Sequence, residues 1–435
     1  MSKSETRAQL ALAIPLAAQQ IGLQLMGNVD AAMLGHYSDS ALAGAGVGNY
    51  LLFAITAVGT GVVMGLDSLV PKAIGAGRID EARRYLASGI RLALVVGVIS
   101  TLFVVASPYL LLLTGTPDDV ARDARTYVWT RAPGVVLLLF TVALRAYLAA
   151  RGSTLPLVLA VVIGNIANAL LDLGLIYGVP VLGIPALGVF GAAIATVLVQ
   201  LVTVVVYVYA IRSLDGTLQL PTPTRADAKR IVHYGVPVGL QLFAEIGIFG
   251  VSTLIAAHLG KVAAGGHSIA IGLSSFTFSF AIGIGSATSV RVGHALGAGD
   301  RVLARRRGII GLQLGLASMA TFAAIFVIAP VTLASLYSDD ANVVAATVPL
   351  LQIAALFQLS DGTQAIAAGA LRGLGDTRAT FIGNLIGHYG IGLGVMLTLT
   401  FGLGMGAPGL WWGLSAGLTG TALYLVVRFL RVTRA

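Results

Sequence analysis

Residues 92–113 read LALVVGVISTLFVVASPYLLLL, a stretch of 22 residues without a charged side chain. A helix needs about 20 mostly apolar residues to cross a hydrocarbon core of about 30 Å, and this stretch is long enough. Eleven similar stretches occur elsewhere in the 435 residues. The sequence therefore predicts an all-α polytopic membrane protein with twelve transmembrane helices.

The predicted spans are separated by short connections rich in Gly, Asp, Pro or Ser. The longest connection, 214–226, contains Pro221 and Pro223 and lies at the middle of the chain. The approximate limits of the spans are 9–35, 45–70, 87–113, 123–147, 155–178, 186–211, 229–257, 263–290, 308–336, 342–370, 378–402 and 407–430.

Composition supports the membrane assignment. Hydrophobic residues make up 57% of the chain and charged residues 10%, whereas soluble domains average about 25% charged. The absence of cysteine excludes disulfides, a thiol nucleophile and cysteine metal sites. No signal-peptide cleavage site stands out after residues 1–12, so we expect the first hydrophobic segment to be retained as a span.

The distribution of basic residues orients the predicted spans. With both termini cytoplasmic, the inside segments contain 23 of the 27 Lys and Arg residues, and the outside loops contain Arg122, Arg125, Arg131 and Lys261. This bias is typical of cytoplasmic loops in a bacterial inner membrane. It also explains the net charge of +9 without a nucleic-acid partner, because the charge lies at the membrane edge.

The two halves of the chain repeat each other at an offset of 222 residues. The loop Lys72-Ala-Ile-Gly-Ala-Gly77 matches His294-Ala-Leu-Gly-Ala-Gly299, and Ala82-Arg-Arg84 matches Ala304-Arg-Arg306. Six spans per repeat give both halves the same orientation, so we expect two six-helix lobes related by a pseudo-two-fold axis along the membrane normal. The predicted N-lobe covers 1–213, the cytoplasmic linker 214–228 and the C-lobe 229–435. Parallel repeats are a transporter architecture in which two bundles rock about a central site.

Acidic residues within the first-half spans are candidates for cation binding, because charge at bilayer depth is costly and is retained mainly for function. Asp30 follows Gln20, Gln24 and Asn28 at near-helical spacing, which predicts a polar stripe on span 1. Asp172 lies four residues after Asn168, so the two side chains share a helix face. Thr196 in span 6 adds a hydroxyl. Asp67 lies near the cytoplasmic end of span 2 and is interpreted as structural or gating.

The second half carries its own acids at non-equivalent positions. Glu245 is in span 7, eight residues after Pro237, and Asp361 is in span 10 within Phe357-Gln-Leu-Ser-Asp361. At the repeat offset Asp30 matches Ser252 and Glu245 matches Leu23, so duplication did not supply these acids. The sequence thus predicts two separate cation-binding regions.

Other functional motifs are absent from the sequence. The Gly-Ala-Gly segments lack the Gly-Lys-Ser/Thr of a phosphate-binding loop and are interpreted as tight turns. The six histidines have no metal-binding spacing, and His36 and His258 are expected at membrane interfaces. Without a nucleotide site or a cofactor, transport must draw on an ion gradient.

Several short motifs together resemble the multidrug and toxin extrusion (MATE) antiporters of the bacterial NorM-like branch. They are Met26-Gly-Asn-Val-Asp30 in span 1, the Gly-Ala-Gly turns, Leu187-Gly-Val-Phe-Gly-Ala-Ala193 opening span 6, Glu245 in span 7, and Gln358 to Asp361 with Ala370-Leu-Arg-Gly373 in span 10. The resemblance covers essentially the whole chain.

The resemblance implies export of amphipathic organic cations in exchange for Na⁺ or H⁺ from a central cavity, by a monomer in the lipid bilayer. It assigns cation coupling, with a possible Na⁺ site at the two acids, to Asp30, Asn168, Asp172 and Thr196. It assigns a second cation or substrate region to Glu245 and Asp361. Gln20, Gln24, Asn28, Phe357 and Gln358 are expected to line the cavity. Phe357 departs from the family pattern, which often has an aromatic hydroxyl there, so the C-lobe Na⁺ site lacks one oxygen.

Three alternatives stay open at this stage. A lipid-linked oligosaccharide flippase of the same superfamily would need Arg or Lys in its cavity to bind phosphates. A cation channel would show flux without exchange. An intramembrane enzyme would need a nucleophile–base pair or a metal cluster at bilayer depth, and the sequence offers neither.

Overall fold

The computed structural model describes residues 3–113, 115–217 and 219–434 of the chain. These residues form helices and connecting turns, and no β-strand occurs among them. Eleven helices are long and apolar enough to span a membrane, or twelve when one bent pair is counted as a single span. The described helices thus confirm the predicted all-α, multi-pass membrane fold.

The first half contains eight α-helices. Two of the predicted spans, the second and the fourth, are interrupted, and each forms two helices. The helices are α1 (Lys3–Tyr37), α2 (Asp39–Val63), α3 (Leu66–Gly75), α4 (Ile79–Ala106), α5 (Asp118–Arg131), α6 (Gly134–Ala150), α7 (Leu155–Ile176) and α8 (Gly188–Asp215).

The second half contains eight further α-helices, and its eleventh span includes π-helical turns at Leu385–Gly392 and Thr398–Gly402. The helices are α9 (Arg225–His258), α10 (Lys261–Gly297), α11 (Arg301–Ile328), α12 (Pro330–Ser335), α13 (Ala341–Leu374), α14 (Thr377–Asn384), α15 (Leu393–Leu397) and α16 (Ala407–Val432).

The helix limits follow the sequence repeat. Helices α9, α10 and α11 begin at residues 225, 261 and 301, which are each 222 residues after the starts of α1, α2 and α4. The Gly-Ala-Gly segments are turns, as predicted, because Gly77 and Gly299 have φ values of 73° and 81° that other residues rarely adopt. The duplicated sequence therefore forms duplicated secondary structure.

The fourth span is bent rather than straight. Helices α5 and α6 meet at an angle of 51° across a break that contains Pro133. Proline lacks the backbone N–H that the helix would use and its ring clashes with the preceding turn, which explains the break. Within the second half, the corresponding helix α13 is continuous from Ala341 to Leu374.

The chain forms two compact units. The N-terminal unit consists of Ile21–Ile74 and Arg78–Gly239, and the C-terminal unit consists of Gly75–Gly77, the residues before Ile21 and the residues from Leu240 onward. The start of α1 therefore packs within the C-terminal unit and the start of α9 within the N-terminal unit. Each helix start joins the unit formed mostly by the other repeat.

Two glycines at equivalent positions allow these helix starts to pack closely. A Cβ atom on Gly61 would lie 2.1 Å from the Cα of Gly239 in the N-terminal unit, and one on Gly283 would lie 2.4 Å from the Cα of Ala17 in the C-terminal unit. Such distances exclude any larger residue without separation of the helices. Close backbone approach at small residues is the usual way in which membrane helices associate.

Candidate functional site

The first candidate site lies inside the N-terminal unit, where α1, α7 and α8 meet. Asp30 on α1, Asn168 and Asp172 on α7 and Thr196 on α8 are all buried, with Asp172 fully inaccessible. The carboxyl groups of Asp30 and Asp172 lie next to each other and interact directly. The structure therefore brings together the four residues that the sequence singled out in this half.

Few hydrogen bonds reach these acids. The Thr196 hydroxyl donates to Asp30 Oδ2 at 3.2 Å, and it also donates to the Ala192 carbonyl oxygen at 3.0 Å. Within the described parts of the chain, no hydrogen bond of ordinary geometry reaches either oxygen of Asp172, Oδ1 of Asp30 or the Asn168 amide, although Asn168 lies close enough to Asp30 to interact with it. A buried polar atom without a partner costs about 1–3 kcal/mol, and a proton or cation bound at this pair would lower that cost.

Opposite charge is also scarce near the acid pair. No ion pair joins Asp30 or Asp172 to a Lys or Arg among the described residues. Arg131 acts on Asp30 only through space, and its guanidinium instead donates to the Tyr127 hydroxyl at 2.7 Å. Two adjacent carboxyl groups away from water cannot both stay ionised without a counter-charge. They can share a proton or hold a cation between them.

The polar stripe expected on α1 is only partly accessible. Asn28 is exposed, and Gln20 and Gln24 are half-buried. Gln20 belongs to the C-terminal unit, whereas Gln24 and Asn28 belong to the N-terminal unit with Asp30. The cavity-lining role of these three residues stays a prediction.

The second candidate site lies inside the C-terminal unit, around Glu245 on α9. One carboxylate oxygen, Oε1, accepts hydrogen bonds from the side-chain amides of Gln241 at 3.0 Å and Gln364 at 2.7 Å. The Asn384 amide at the end of α14 makes a third, short hydrogen bond to the same oxygen. Three amide donors stabilise a negative charge at Glu245, because hydrogen bonds to an ionised acceptor are about twice as strong as neutral ones.

Asp361 lies close enough to Glu245 for their charges to interact, so the structure brings these two predicted residues together. Asp361 is itself buried on α13, three residues before Gln364. The C-terminal site is therefore a pair of acids in which one member, Glu245, has an amide cage, defined here as Gln241, Gln364 and Asn384.

The two remaining residues predicted for the second half lie in the interior of the C-terminal unit. Phe357 is 1% exposed, and its ring packs against those of Trp411 and Phe249 at centroid distances of 5.2 and 6.3 Å. Gln358 is buried as well, and neither atom of its amide has a hydrogen-bond partner within the described residues. Phe357 is thus part of an aromatic core.

Sequence reasoning missed the amide cage. Gln364 is on the same face of α13 as Asp361, and a helical spacing of three residues was the available signal. Asn384 gave no signal, because an amide within an apolar helix is also an ordinary partner for a neighbouring helix. The hydrogen bond from Asn384 to Glu245 depends on the approach of α14 to α9, which the sequence alone does not show.

Asp67 is placed apart from both acid pairs. Its carboxylate lies 3.7 Å from the guanidinium of Arg145 on α6, and both side chains are largely buried. Asp67 therefore has a cationic partner, unlike Asp30 and Asp172.

The donor sets at the two sites suit protons and hard cations. No cluster of three or more His, Asp or Glu side chains that could hold a metal ion occurs in the described part of the chain. The N-terminal site instead offers carboxylate, amide and hydroxyl oxygens, which are the ligand types preferred by cations such as Na⁺ rather than by transition metals.

Comparison with known sequences places the chain in a family. The MatE family model matches residues 15–173 and 237–405, once in each half. The probable multidrug resistance protein NorM of Deinococcus radiodurans is 35% identical over 99% of this chain and 96% of its own. The probable multidrug resistance protein NorM of Burkholderia pseudomallei is 34% identical, over 98% of this chain and 92% of its own.

Solved structures share the fold over the same extent. The eukaryotic MATE transporter AtDTX14 superposes with a TM-score of 0.90 at 22% identity, covering 99% of this chain and 98% of its own. A MOP superfamily transporter from Pyrococcus furiosus gives a TM-score of 0.88 at 21% identity, covering 99% and 97%. The chain therefore belongs to the MatE family, the multidrug and toxin extrusion transporters, in its NorM-like branch.

Proposed function

We propose that the protein is a secondary active multidrug exporter that exchanges amphipathic organic cations for Na⁺ or H⁺. Full-length similarity to proteins called multidrug resistance protein NorM supports the export of several drugs. Membership of a transporter family also excludes the enzyme alternative. The coupling to an ion is argued from the acid sites.

The observation that carries the proposal is the buried pair Asp30 and Asp172. These two carboxyl groups interact directly, receive a hydrogen bond from Thr196 and have no ion-paired Lys or Arg within the described residues. A pair of this kind needs an exchangeable positive charge to be stable in a water-poor interior. The N-terminal site is therefore assigned to the coupling ion.

The C-terminal site is assigned to the organic cation or to a second Na⁺. The amide cage favours the ionised form of Glu245 and orients its carboxylate, which opposes the cost of burying the charge. A carboxylate that remains charged attracts the positive end of a substrate. The charge of Glu245 acts on the buried Asp361, so Asp361 is expected to hold a proton while Glu245 is ionised and no cation is bound.

Antiport follows from opposite preferences of the two ligands. The proposed lobes, 1–213 and 229–435 with the linker 214–228, alternate between inward-open and outward-open states. If the coupling ion favours one state and the substrate favours the other, each ligand shifts the population against the other. Neither ligand needs to contact the other for exchange to occur.

The rival transport functions make different demands on the chain. A flippase for phosphate-bearing lipids would need unpaired Arg or Lys at its site, whereas both candidate sites are acidic. A cation channel would conduct without exchanging its ions. Saturation of uptake, and acceleration by substrate on the opposite side of the membrane, separate the exporter from a channel.

The proposed location is the bacterial inner membrane with both termini cytoplasmic. Single cysteines can be introduced at residues 80 and 302 because the chain has none of its own. An impermeant thiol reagent added to intact cells should label neither position and should label both after permeabilisation. Labelling of either position in intact cells would contradict the proposed orientation.

Transport in proteoliposomes tests the function itself. Purified protein is reconstituted, and Na⁺ and H⁺ gradients are imposed separately while the accumulation of a fluorescent organic cation is followed. Accumulation against a concentration gradient is expected with one or both ion gradients. Its absence under both, while the substrate equilibrates passively, would refute coupled export.

A further inference from the structure

A depression of about 280 Å³ lies on the first turns of α11, outside both acid sites. It is lined by apolar side chains and by two arginines. The residues that line it are Val302, Arg305, Arg306, Ile309, Ile310 and Gln313. In the proposed topology this stretch is the cytoplasmic membrane edge of the ninth span, where lipid headgroups meet the protein.

The equivalent arginines of the first half form ion pairs. Arg83 and Arg84 on α4 occupy the positions equivalent to Arg305 and Arg306. Arg83 lies 3.5 Å from Asp215, and Arg84 lies 3.2 Å from Asp227. In the first half, both arginines are therefore neutralised by acids of their own unit.

The equivalent arginines of the second half differ in their ion pairs. Neither Arg305 nor Arg306 forms one within the described ranges of the chain. Glu5 occupies the position equivalent to Asp227, but its carboxylate is bound by Arg291 and Arg307 instead. Arg306 interacts with Glu5 only over a longer distance, so neither guanidinium group has an acid in direct contact among the described residues.

We propose that this depression binds the headgroup of an anionic phospholipid. The guanidinium groups of Arg305 and Arg306 match a phosphate in charge and in hydrogen-bond geometry, since arginine presents a planar fork of donors. The exposed amide of Gln313, two turns further along α11, supplies a donor for the ester oxygens of the same lipid.

The apolar surface beside the arginines favours binding of a lipid over binding of free phosphate. Val302 is 69% exposed, and Leu316, further along the same side of α11, is 51% exposed. An acyl chain attached to the bound headgroup would cover this face. Anionic lipids are also concentrated at the cytoplasmic leaflet, where clustered Lys and Arg bind them.

Lipid retention by the purified protein tests the proposal. The full chain in detergent is incubated with phosphatidylglycerol or phosphatidylcholine, and bound lipid is counted by native mass spectrometry. The double variant Arg305→Gln/Arg306→Gln is expected to lose affinity for phosphatidylglycerol by roughly thirtyfold, from two basic contacts at the membrane surface. Phosphatidylcholine should bind weakly to every variant, and free inorganic phosphate at equal concentration should displace nothing.

The matched control is Arg225→Gln/Arg378→Gln, which removes the same charge from exposed positions on the same proposed membrane side. It should retain phosphatidylglycerol as the unsubstituted protein does. Equal retention by the Arg305/Arg306 variant, equal loss in the control, or displacement by inorganic phosphate would each overturn the proposal. Gln313→Leu, which keeps the charge, provides a second test should the double variant misfold, with a loss of a few fold expected and no loss refuting the site.

Discussion

The two halves of the chain repeat the same helices, but they satisfy their buried acids in different ways. In the N-terminal unit, Asp30 and Asp172 lie together, and the Thr196 hydroxyl donates to one of their four oxygens. In the C-terminal unit, a single oxygen of Glu245 receives hydrogen bonds from the amide cage. The same fold therefore holds one acid site with few donors and one in which a single oxygen has three.

This difference indicates what each site requires from outside the protein. Several hydrogen bonds to a carboxylate favour its ionised form, whereas paired carboxyl groups with few donors are strongly destabilised as anions. We infer that the N-terminal pair exchanges its proton or cation during transport, while Glu245 stays charged and attracts the substrate. Substitutions that remove one feature at a time can separate these roles.

The largest effect is expected from Asp172→Asn. The amide cannot release a proton or balance a cation, so gradient-driven export should fall about 100-fold, near the upper end of typical coupling energies. Substrate binding and folding should persist. Proteoliposome flux is the measurement, and Asp118→Asn, an exposed acid of the same half, is the control. Coupled export that survives Asp172→Asn would remove the N-terminal pair from the coupling step.

A smaller effect is expected from Glu245→Gln. The substitution removes the charge but keeps an oxygen for the amide cage, so the site should remain folded. Loss of one attractive charge should weaken binding of an organic cation about tenfold, which corresponds to 1.4 kcal/mol. Equilibrium binding of a fluorescent cationic dye measures it. Unchanged dye affinity, with export lost, would instead place the coupling ion at Glu245.

The amide cage itself can be tested with Asn384→Ala. Removal of this donor should lower the free energy of unfolding by about 1–3 kcal/mol, as for other hydrogen bonds to charged groups, and should reduce dye affinity a few fold. Asn165→Ala is the matched control, since the Asn165 amide bridges α7 to the Gly22 carbonyl oxygen at 3.0 Å and contacts no acid. Equal loss of dye affinity in both variants would show that helix packing, rather than the charge of Glu245, is responsible.

The smallest effect is expected from Thr196→Val, which keeps the shape of the side chain and removes the hydroxyl that donates to Asp30. About 1 kcal/mol of stabilisation should be lost, seen as a shift of about fivefold in the apparent affinity for the coupling ion. Thr203→Val is the control, because that hydroxyl on the same helix bonds to the Val199 carbonyl oxygen at 2.9 Å. An identical shift in both variants would mean that Thr196 has no special relation to the acid pair.

The helices could be predicted from sequence because the membrane imposes their length and polarity. The basic-residue bias and the repeat then predicted twelve spans in two equivalent halves of six. The bend between α5 and α6 and the π-helical turns at Leu385–Gly392 were not predicted. The packing of the start of α1 in the C-terminal unit, and of the start of α9 in the N-terminal unit, was not predicted either. It depends on contacts between residues far apart in the chain.

The acids of the candidate sites were predicted from the sequence, but their partners in the second half were not. Asp30 and Asp172 were singled out because acids at bilayer depth are rare, and Asn168 because its spacing puts it on the face of Asp172. The family resemblance then joined these residues with Thr196 into one predicted site. The partners of Glu245 were not recognised, because amides in apolar helices are common and become informative only beside an acid. Phe357 was interpreted from the family pattern, which says nothing of its packing against Trp411.

Binding of an organic cation to purified protein across pH 6–8, with and without Na⁺, tests the division of roles most directly. If a proton is displaced, affinity should rise with pH, by roughly tenfold per unit at most; if Na⁺ is displaced, affinity should fall as Na⁺ is added. Asp172→Asn should abolish this dependence, and Glu245→Gln should keep it at a lower affinity. The same dependence in both variants at every pH and Na⁺ concentration would contradict the specialisation of the two acid sites.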